Sequence, residues 1–322
     1  MSAALNLVTG GAGFIGSHLV EALIAAGERV RVLDDLSSGH EENLAAIRAR
    51  IDFVRGSIVD PATVARALDG VTHVFHLAAC PSVPRSFDEP EFCHAVNATG
   101  TLNVVVAAAK ARCRRLVFAS SCAIYGDAGD ESVRETRPPA PKSPYAAQKL
   151  LGEHYLASYG SAAGGNSGLE TVALRFFNVY GARQDPGSPY SGVISIFCQK
   201  LRAGETATIH GDGEQTRDFV HVSDVVQALR LARDVPAAAD QRVGGVFNVA
   251  TGRSRTLLEL HATLARTLGR REPPRLGPPR TGDIVKSAAD ITRAKSLLGY
   301  SPRLDLEHGL AQTLDWMKEQ AQ

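Results

Sequence analysis

Residues 5–16, LNLVTGGAGFIG, place a largely apolar run directly before a turn that contains several glycines. The run at 5–9 predicts a strand, and residues 13–26 predict a helix that ends at Gly27. Glycines at such a strand-to-helix turn allow a tight bend and a close approach of the backbone to a pyrophosphate. The free N–H groups at the start of the helix then face the anion. This stretch therefore predicts a dinucleotide-binding fold.

The chain beyond this turn alternates short apolar runs with longer helical patterns. Further strands are predicted at 29–34, 51–55, 74–77, 116–120 and 171–175. Helices are predicted near 61–68, 97–111, 222–232, 257–268 and 308–318, and from Pro144 onwards. This alternation favours an α/β fold with a doubly wound parallel sheet that helices cover on both faces. The less regular second half predicts a smaller α/β C-terminal domain that begins near residue 176.

Composition and charge exclude several classes of protein. Hydrophobic residues make up 44% of the 322 residues and charged residues 21%, which fits an ordinary globular core. The 35 Lys and Arg residues nearly balance the 34 Asp and Glu residues, and the formal charge is +1. Neither nucleic acid nor a membrane is therefore an expected partner. No apolar run reaches the ~18 residues of a membrane helix, and no signal peptide is recognised, so we expect a cytoplasmic protein.

The five cysteines are scattered through the chain without a CxxC pair. An odd number at such spacings favours neither a disulfide framework nor a zinc site, and it fits a reducing compartment. His18, His73 and His76 lie within or beside predicted elements, so core or surface roles are expected for them. We therefore expect no metal.

Asp34 ends the second predicted strand, about 20 residues after the glycine turn. An acidic residue at this place binds the adenosine ribose in dinucleotide-binding folds. Asp34 and Asp35 together would repel a 2′-phosphate, so NAD is favoured over NADP as the cofactor. The alternative is that both acids belong to a solvated turn.

Tyr145 and Lys149 are four residues apart near the start of the helix that follows Pro144, so both side chains lie on one face. Ser121 directly follows the predicted strand at 116–120, at the end where ligands bind in open α/β sheets. A phenol is a poor base at neutral pH, but a nearby ammonium and a nicotinamide cation lower its pKa. These residues form a predicted catalytic group. The alternative is a surface Tyr and Lys beside a buried Ser.

Seven segments along the chain carry a resemblance to one family. They are TGGAGFIG at 9–16, HLAA at 76–79, SSCAIYG at 120–126, YAAQK at 145–149, LRFFNVYG at 174–181, GDGEQTRDFVHVSD at 211–224 and RTGD at 280–283. Together they resemble the extended short-chain dehydrogenase/reductases. The likeness is closest to the UDP-sugar 4-epimerases that act on UDP-glucose or UDP-N-acetylglucosamine.

This resemblance implies a domain arrangement and partners. It implies an NAD-binding Rossmann domain over 1–175 and a nucleotide-sugar-binding domain over 176–322, with some later segments returning to the first domain. It also implies tightly held NAD, a UDP-sugar substrate and a homodimer. The dimer would form through helices near 97–111 and 144–159, whose apolar faces alternatively cover the sheet.

The resemblance further implies roles for individual residues. The implied catalytic triad is Ser121, Tyr145 and Lys149. The implied cofactor-binding residues are Gly10, Gly13, Phe14, Ile15, Gly16, Asp34, Ser57, Ile58, Leu77, Ala78, Ala79, Asn97, Tyr145, Lys149 and Phe176. The implied substrate-binding residues are Ser82, Arg85, Ser121, Asn178, Val193, Arg217, Arg280, Asp283 and Ser287. One departure concerns the adenine end, where the Asp of the family's GDI element is Ser57, so Ile58 would hold part of the adenine.

The implied mechanism is a reversible oxidation at C4 of the sugar. Tyr145 phenolate removes the 4-hydroxyl proton while hydride passes to NAD, Ser121 relays or positions the proton, and Lys149 holds the ribose. The resulting 4-ketose turns about its pyrophosphate linkage and takes the hydride back on the opposite face. Related dehydratases carry an Asp-Glu pair before the Tyr that ends this segment, and decarboxylases carry a Glu. Cys122 and Ala123 precede Tyr125 here, which favours an epimerase.

Ser287 occupies the position at which a bulky Tyr restricts some epimerases to UDP-glucose and UDP-galactose. A small side chain leaves room for a 2-acetamido group, and SVPRSF at 82–87 resembles epimerases that accept N-acetylhexosamines. We therefore expect activity on UDP-GlcNAc and UDP-GalNAc as well as on UDP-glucose and UDP-galactose. The alternative is that Ser287 is a solvent-facing strand residue.

Three alternative functions stay open. One is a UDP-glucuronate 4-epimerase, in which Asp185 would repel the C6 carboxylate. The basic residues available to bind that carboxylate are Arg85, Arg183 and Lys286. Another is a 4-ketosugar reductase, which would release its cofactor and usually prefers NADPH, a choice that Asp34 disfavours. The last is a module that binds NAD or a nucleotide-sugar without turnover, which would lack the catalytic Tyr or Lys.

Overall fold

A parallel sheet of seven strands forms the centre of the computed structural model, which describes residues 4–127, 129, 132–160, 168–185, 192–236, 245–279 and 286–319. The strands of the described residues are, in chain order, β1 Leu5–Thr9, β2 Arg29–Asp34, β3 Asp52–Arg55, β4 His73–His76, β5 Arg115–Ser121, β6 Glu170–Phe176, β7 Asn178–Tyr180, β8 Thr208–His210, β9 Thr216–His221, β10 Val246–Val249, β11 Ser254–Thr256 and β12 Arg275–Gly277. The order across the central sheet is β3-β2-β1-β4-β5-β6-β10. The strand order reverses between β1 and β4, so the ligand crevice opens at the carboxyl ends of these two strands.

Helices cover both faces of this sheet. Those of the described residues are α1 Phe14–Ala25, α2 Pro61–Ala67, α3 Val83–Asp88, α4 Pro90–His94, α5 Thr101–Lys110, α6 Pro144–Tyr159, α7 Val193–Arg202, α8 Val222–Asp234, α9 Leu257–Thr267 and α10 Leu306–Glu319. Shorter helical stretches are of the 3-10 type at Glu41–Arg50 and Cys122–Tyr125, and of the π type at Ala95–Gly100 and Ala294–Leu298.

The core consists of an apolar layer on each side of the sheet. Along β1, Val8 belongs to the layer with α1 and α8, whereas Leu7 belongs to the layer with α2 and α5. Successive side chains of a strand point to opposite faces, so a strand covered on both sides is mostly apolar. Each fully buried Leu or Val contributes about 1.5–3 kcal/mol of hydrophobic free energy. These layers fix the strand ends from which the site is built.

Prolines and capping side chains determine where two helices begin. Pro61 and Pro144 occupy the first turns of α2 and α6, where the missing N–H of proline breaks no hydrogen bond. Asp60 caps α2 through its carboxylate, and the Ser143 hydroxyl accepts a hydrogen bond from the N–H of Ala146 at the start of α6. The start of α6 is thereby fixed one residue before Tyr145.

The second half of the chain adds two small sheets. One has the strand order β11-β9-β7, in which β7 is parallel and β11 antiparallel to β9. The other pairs β12 with β8 in parallel. Helices α7, α9 and α10 pack around a separate apolar cluster that includes Phe197, Leu260 and Leu314. Because β7 begins two residues after β6 ends, the first of these small sheets starts beside the carboxyl edge of the central sheet.

The predicted α/β class with a doubly wound parallel sheet is confirmed. Each predicted strand is present to within a residue or two; the strand expected at 51–55 is Asp52–Arg55, and that expected at 74–77 is His73–His76. The helix expected at 97–111 is divided into a π-helical stretch and α5. The short elements α3, α4, β7 and β11 are not predicted, because three to six residues carry too little periodicity.

One continuous helical run, Pro90–Lys110, has the length and the mean hydropathy, 1.3, of a membrane span. The expectation of no such segment rested on uninterrupted apolar residues, which this run does not contain. Val104, Val105 and Ala108 in its second half are fully buried against the sheet. Packing in the core accounts for the apolar composition of this run.

Candidate active site

The glycine turn joins β1 to α1 at the point where the strand order reverses. Gly10 has a positive φ of 71°, and a Cβ there would lie 2.7 Å from the backbone nitrogen of Ala78. A Cβ on Gly16 would lie 2.0 Å from the carbonyl oxygen of Gly10. Gly13 is the N-cap of α1, and no side chain caps this helix. The N-terminus of α1, with Phe14 in its first turn, therefore fits a pyrophosphate.

The Asp34 carboxylate braces this turn from the end of β2. Its Oδ2 accepts a hydrogen bond from the N–H of Ala12 at 2.9 Å, and its Oδ1 accepts one from the N–H of Leu36 at 2.9 Å. Burial raises the pKa of Asp34, and these two hydrogen bonds oppose the rise. Asp34 is 7% exposed, unlike the exposed Asp35, so it does not belong to a solvated turn. Each carboxylate oxygen keeps a lone pair for a ribose hydroxyl.

The predicted adenine-binding residues lie beside Asp34. The N–H of Gly56 donates to the carbonyl of Asp34 at 3.0 Å, so Ser57 and Ile58 follow directly next to that strand end. The Ser57 hydroxyl accepts a hydrogen bond from the N–H of Val59 at 3.3 Å, and Ile58 is buried. A buried aliphatic side chain and a hydroxyl thus occupy the place where the family has an acid.

The segment after β4 lies against the glycine turn. The N–H of Ala78 donates to the Thr9 hydroxyl at 3.2 Å, next to the N–H of Leu77, which donates to the Thr9 carbonyl at 3.1 Å. The buried Asn97 side chain bonds both backbone groups of Cys80, at 2.8 and 3.1 Å. It also donates to Oε1 of Gln148 in α6, at 2.8 Å. Asn97 therefore positions residues 77–80, which include Ala79, relative to α6.

The predicted catalytic residues come together at the carboxyl end of β5. Ser121 ends this strand, and its side chain lies close enough to the Tyr145 hydroxyl to lower the pKa of that phenol. The Nζ of the buried Lys149 lies 5.9 Å from the centroid of the Tyr145 ring and 4.9 Å from that of Phe118. The same Nζ donates to the carbonyl of Ala119 at 2.8 Å. One wall of the crevice thus carries a phenol, a hydroxyl and an ammonium.

The protein environment opposes ionisation of this phenol. Burial raises the pKa of Tyr145 to about 12, and the hydrogen bond with Ser121 only partly offsets the rise. Burial also lowers the pKa of Lys149 to about 8. These side chains alone therefore do not bring the phenol into working range, and the predicted effect depends on the cofactor charge as well as on the ammonium. The positive nicotinamide ring of a bound dinucleotide would supply the charge that lowers it.

A buried ion pair lies behind the catalytic residues. Arg175 on β6 donates to both oxygens of Glu153 on α6, at 2.7 and 2.9 Å, and the side chains are 5% and 7% exposed. Glu153 also accepts a hydrogen bond from the Ser120 hydroxyl at 2.5 Å, and Arg175 donates to the Tyr125 hydroxyl at 2.8 Å. The pair joins β6 to α6, which carries Tyr145 and Lys149, and Ser120 attaches β5 to the same carboxylate.

None of these supporting residues is predicted from the sequence. The available signal is the charge of Arg175 inside the otherwise apolar strand sequence VALRF, whereas Glu153 lies in the mixed helix sequence KLLGEHYL and gives no such signal. Such a charge has to be paired when it is buried, because an isolated buried ion is costly. The sequence does not show which residue is its partner, since Arg175 and Glu153 lie on different elements.

Two predicted substrate residues lie on neighbouring strands of a small sheet. Asn178 begins β7, and its Nδ2 donates to the carbonyl of Asp218 on β9 at 3.2 Å. Burial raises the pKa of the Cys122 thiol to about 12, and the positive charge of Arg217 opposes this rise. Arg217 on β9 is therefore close enough to Cys122, which directly follows Ser121, for its charge to act there. Phe176 and Val193 are placed at the end of β6 and the start of α7.

Two further predicted substrate residues lie on α3. Ser82 caps this helix by accepting a hydrogen bond from the N–H of Arg85 at 3.1 Å. The Arg85 guanidinium makes two hydrogen bonds to the Glu89 carboxylate, at 2.9 and 3.0 Å. The Ser86 hydroxyl accepts a hydrogen bond from the N–H of Tyr145 at 3.1 Å. Helix α3 is thereby attached to the first turn of α6.

Ser287 is 8% exposed and lies beside the start of β9. Its N–H donates to the Thr216 hydroxyl at 3.4 Å, and its carbonyl accepts a hydrogen bond from the Ser254 hydroxyl at 2.9 Å. Thr216 directly precedes Arg217, so Ser287 is close to another predicted substrate-binding residue. Arg280 and Asp283 lie outside the described residues.

Among the residues that the structure describes, no three His, Cys, Asp or Glu side chains form a cluster able to hold a metal. His76 is fully buried, with its Nδ1 2.8 Å from the Thr9 hydroxyl and its Nε2 3.0 Å from the Thr101 hydroxyl. Burial lowers the pKa of His76 to about 3, so this ring is neutral. Its role is to join β1, β4 and α5.

Known proteins are similar to this chain in sequence and in fold. The sequence profile described as "NAD dependent epimerase/dehydratase family" matches residues 6–250. The chain is similar to the UDP-glucose 4-epimerase of Mycolicibacterium smegmatis, at 42% identity over 321 residues, which cover 98% of this chain and 99% of that protein. It is similar in structure to the UDP-glucose 4-epimerase of Thermotoga maritima with UDP-glucose, at a TM-score of 0.91 and 39% identity, covering 99% of this chain and 100% of that chain.

A second solved structure is also similar. The UDP-N-acetylglucosamine 4-epimerase of Methanobrevibacter ruminantium, in complex with UDP-N-acetylmuramic acid, has a TM-score of 0.92 and 37% identity, covering 99% of this chain and 100% of that chain. The family match includes the glycine turn as well as Ser121, Tyr145 and Lys149. The predicted resemblance, the epimerase class and NAD as cofactor are therefore confirmed. The chain belongs to the NAD dependent epimerase/dehydratase family.

Proposed function

We propose that this enzyme interconverts the C4 epimers of UDP-hexoses through a transient 4-ketose. The observation that carries the proposal is the approach of Ser121 to Tyr145 at the carboxyl end of β5, with Lys149 one turn further along α6. This group supplies one proton acceptor next to the place for a dinucleotide. The relatives named UDP-glucose 4-epimerase support the assignment.

In the proposed reaction each side chain has one task. Tyr145 takes the proton of the sugar 4-hydroxyl and later returns it, while Ser121 holds that proton in line. The Nζ of Lys149 has donors left beyond its bond to Ala119, and these hold a ribose hydroxyl of the dinucleotide. Bound NAD supplies the oxidation at C4 and its reversal. Asn178 and Arg217 hold the UDP moiety while the ketose rotates and presents its opposite face.

The residues after Ser121 support epimerisation over elimination. Cys122 and Ala123 begin the 3-10 helix Cys122–Tyr125, at the place where dehydratases carry an Asp-Glu pair. Burial raises the pKa of Cys122 to about 12, so its thiol is too weak an acid to protonate a departing hydroxyl. The buried carboxylate of Asp34 favours NAD over NADPH, which argues against the 4-ketosugar reductase. Nicotinamide that stays bound through gel filtration separates the two activities.

We include UDP-GlcNAc and UDP-GalNAc among the proposed substrates. The support is the small, buried Ser287 beside β9, together with a solved relative named UDP-N-acetylglucosamine 4-epimerase. UDP-glucuronate is less favoured, because the Arg85 guanidinium already makes two hydrogen bonds to Glu89.

The test is incubation of the purified enzyme with UDP-glucose, UDP-galactose, both N-acetylated sugars and UDP-glucuronate, with the C4 epimers resolved by NMR. We expect conversion of the first four. Ser287→Tyr should reduce turnover of UDP-GlcNAc at least about tenfold and leave UDP-glucose turnover nearly unchanged, because a phenol ring fills the acetamido space. Full UDP-GlcNAc turnover by this variant would contradict the role proposed for Ser287. The absence of a C4 epimer from all of the sugars would contradict the proposed function.

We also propose a homodimer formed through α5 and α6. Leu102 and Val106 on α5, and Leu151 and Tyr155 on α6, are only half-buried, and they form an apolar outer face on two adjacent helices. A second copy of the same face would cover it and form a four-helix contact. Light scattering on the protein as it elutes from a gel-filtration column tests this proposal. Val106→Glu should give a monomer, and a variant that stays dimeric would contradict dimerisation through this face.

A cytoplasmic location is part of the same proposal. All five cysteines are free thiols, as expected where reductants keep thiols reduced. Cell fractionation followed by detection of the protein tests this location, and recovery of the protein in a membrane or secreted fraction contradicts it.

A further inference from the structure

Two cysteines that are 13 residues apart in the sequence meet next to the cofactor side of the crevice. The Sγ atoms of Cys80 and Cys93 are 2.9 Å apart. Cys80 follows β4, beside the residues that contact the glycine turn, and Cys93 lies on α4. A disulfide has an S–S distance of about 2.05 Å, so the two sulfur atoms are within about 1 Å of bonding distance.

The surroundings of this thiol pair combine burial with one positive charge. Cys80 is 5% exposed and Cys93 is fully buried. Burial and the neighbouring thiol raise the pKa of Cys93 to about 12, while the positive charge of Arg85 opposes that rise. The Arg85 guanidinium also lies over the Phe92 ring, 4.4 Å from its centroid. Burial outweighs this charge, so the thiolate, which is the nucleophile in disulfide formation, forms only when local opening admits water to the sulfur atoms.

We propose that Cys80 and Cys93 are a site of reversible disulfide formation by peroxides, and that this bond slows the reaction at Tyr145. One thiolate attacks a peroxide oxygen and becomes a sulfenic acid, and the other peroxide oxygen leaves as water after taking up a proton. The second thiol then attacks the sulfenic sulfur and releases another water. Two thiols lose two protons and two electrons, and one hydrogen peroxide becomes two waters.

Hydrogen bonds connect the segment that contains Cys80 to helix α6, which carries Tyr145 and Lys149. Asn97 holds both backbone groups of Cys80 and donates to Gln148, which lies between Tyr145 and Lys149 on α6. The same segment reaches the N–H of Tyr145 through the Ser86 hydroxyl. Drawing the two sulfur atoms together therefore moves a segment that is attached to the catalytic helix at two points. A displacement of about 1 Å at a reacting group is enough to cost up to about 100-fold in rate.

The elements around the pair permit the access that oxidation requires. Helices α3 and α4 have six and five residues, so each contains little internal hydrogen bonding. Phe87 is 59% exposed and Phe92 is 40% exposed, so this segment is weakly anchored in the core. Segments with few buried contacts open locally at low free-energy cost, which lets a molecule as small as hydrogen peroxide reach the sulfur atoms.

The test uses the reduced full-length enzyme as isolated, treated with hydrogen peroxide and then alkylated under denaturing conditions. Mass spectrometry should show a loss of about 2 Da and a cross-linked pair of peptides that contain Cys80 and Cys93. Turnover should fall about tenfold and return after dithiothreitol. Cys93→Ala should form no cross-link and keep its turnover under peroxide, whereas Cys198→Ala, which removes a buried thiol on α7, should respond like the wild type.

Two outcomes overturn the proposal. One is oxidation at another cysteine without the cross-link, and the other is a cross-link that leaves turnover unchanged. The turnover readout rests on the proposed epimerisation, but the mass readout does not. A failure of the proposed function is therefore visible as absent turnover in the reduced enzyme, before any peroxide is added.

Discussion

The two halves of the chain hold their functional residues in different ways. In the first half, Ser121 ends a buried strand of seven residues, and α6 carries Tyr145 and Lys149 against the same sheet. In the second half, Asn178 and Arg217 lie on strands of three and six residues in a small sheet. The residues proposed for proton transfer are thus held by the large parallel core, whereas those proposed for substrate binding lie on short elements outside it.

The ion pairs near the two sets of residues also differ, in how deeply they are buried. The catalytic strand and helix are joined by the buried pair of Glu153 and Arg175. The second half has pairs such as Lys200 with Glu205, whose side chains are 40% and 62% exposed and 3.2 Å apart. A buried pair cannot lose one partner without leaving an uncompensated charge, whereas an exposed pair is solvated by water. The first half should therefore be the less tolerant of substitution.

The largest expected effect separates the chemistry of the first half from the binding of the second. Tyr145→Phe should reduce kcat about 1000-fold, because it removes the proton acceptor at the sugar 4-hydroxyl. The Kd for UDP should stay within about twofold, because Asn178 and Arg217 are untouched. Turnover measured by NMR and UDP binding measured by calorimetry test both parts. Near-normal turnover would remove Tyr145 from the mechanism.

The next effect is on stability. Glu153→Ala should reduce the free energy of unfolding by about 3–5 kcal/mol, because Arg175 then stays buried without its carboxylate partner. Glu205→Ala in the second half is the matched control and should change it by less than about 0.5 kcal/mol. Urea denaturation of both variants measures the difference. Equal losses would contradict the contrast between the halves.

The smallest effect concerns pH. The hydrogen bond from Ser121 stabilises the Tyr145 phenolate, so Ser121→Ala should raise the pKa of Tyr145 further. Less phenolate is then present at a given pH, and the rising limb of kcat/KM against pH should move upward by about one unit. The loss relative to the wild type should therefore shrink as the pH rises. A loss of the same size at every pH would assign Ser121 a purely steric role.

Much of the first half could be predicted because its signals are local. The glycine turn and the spacing of Tyr145 and Lys149 lie within single segments, and strand ends bring Ser121 to the same crevice. The pairing of Arg175 with Glu153 could not be predicted, because it depends on two elements packing side by side. The raised pKa of Tyr145 was also missed, since burial is a property of the fold. The contact of Cys80 with Cys93 has no spacing signal for the same reason.

The most direct test of the central claim follows the hydrogen at C4. UDP-glucose carrying deuterium at C4 is incubated with the enzyme in ordinary water, and UDP-galactose is analysed by NMR and mass spectrometry. If the hydride taken from C4 returns to the opposite face of the same sugar, the product keeps its deuterium at C4. Replacement of that deuterium by solvent hydrogen would contradict the transient 4-ketose and the role assigned to Tyr145.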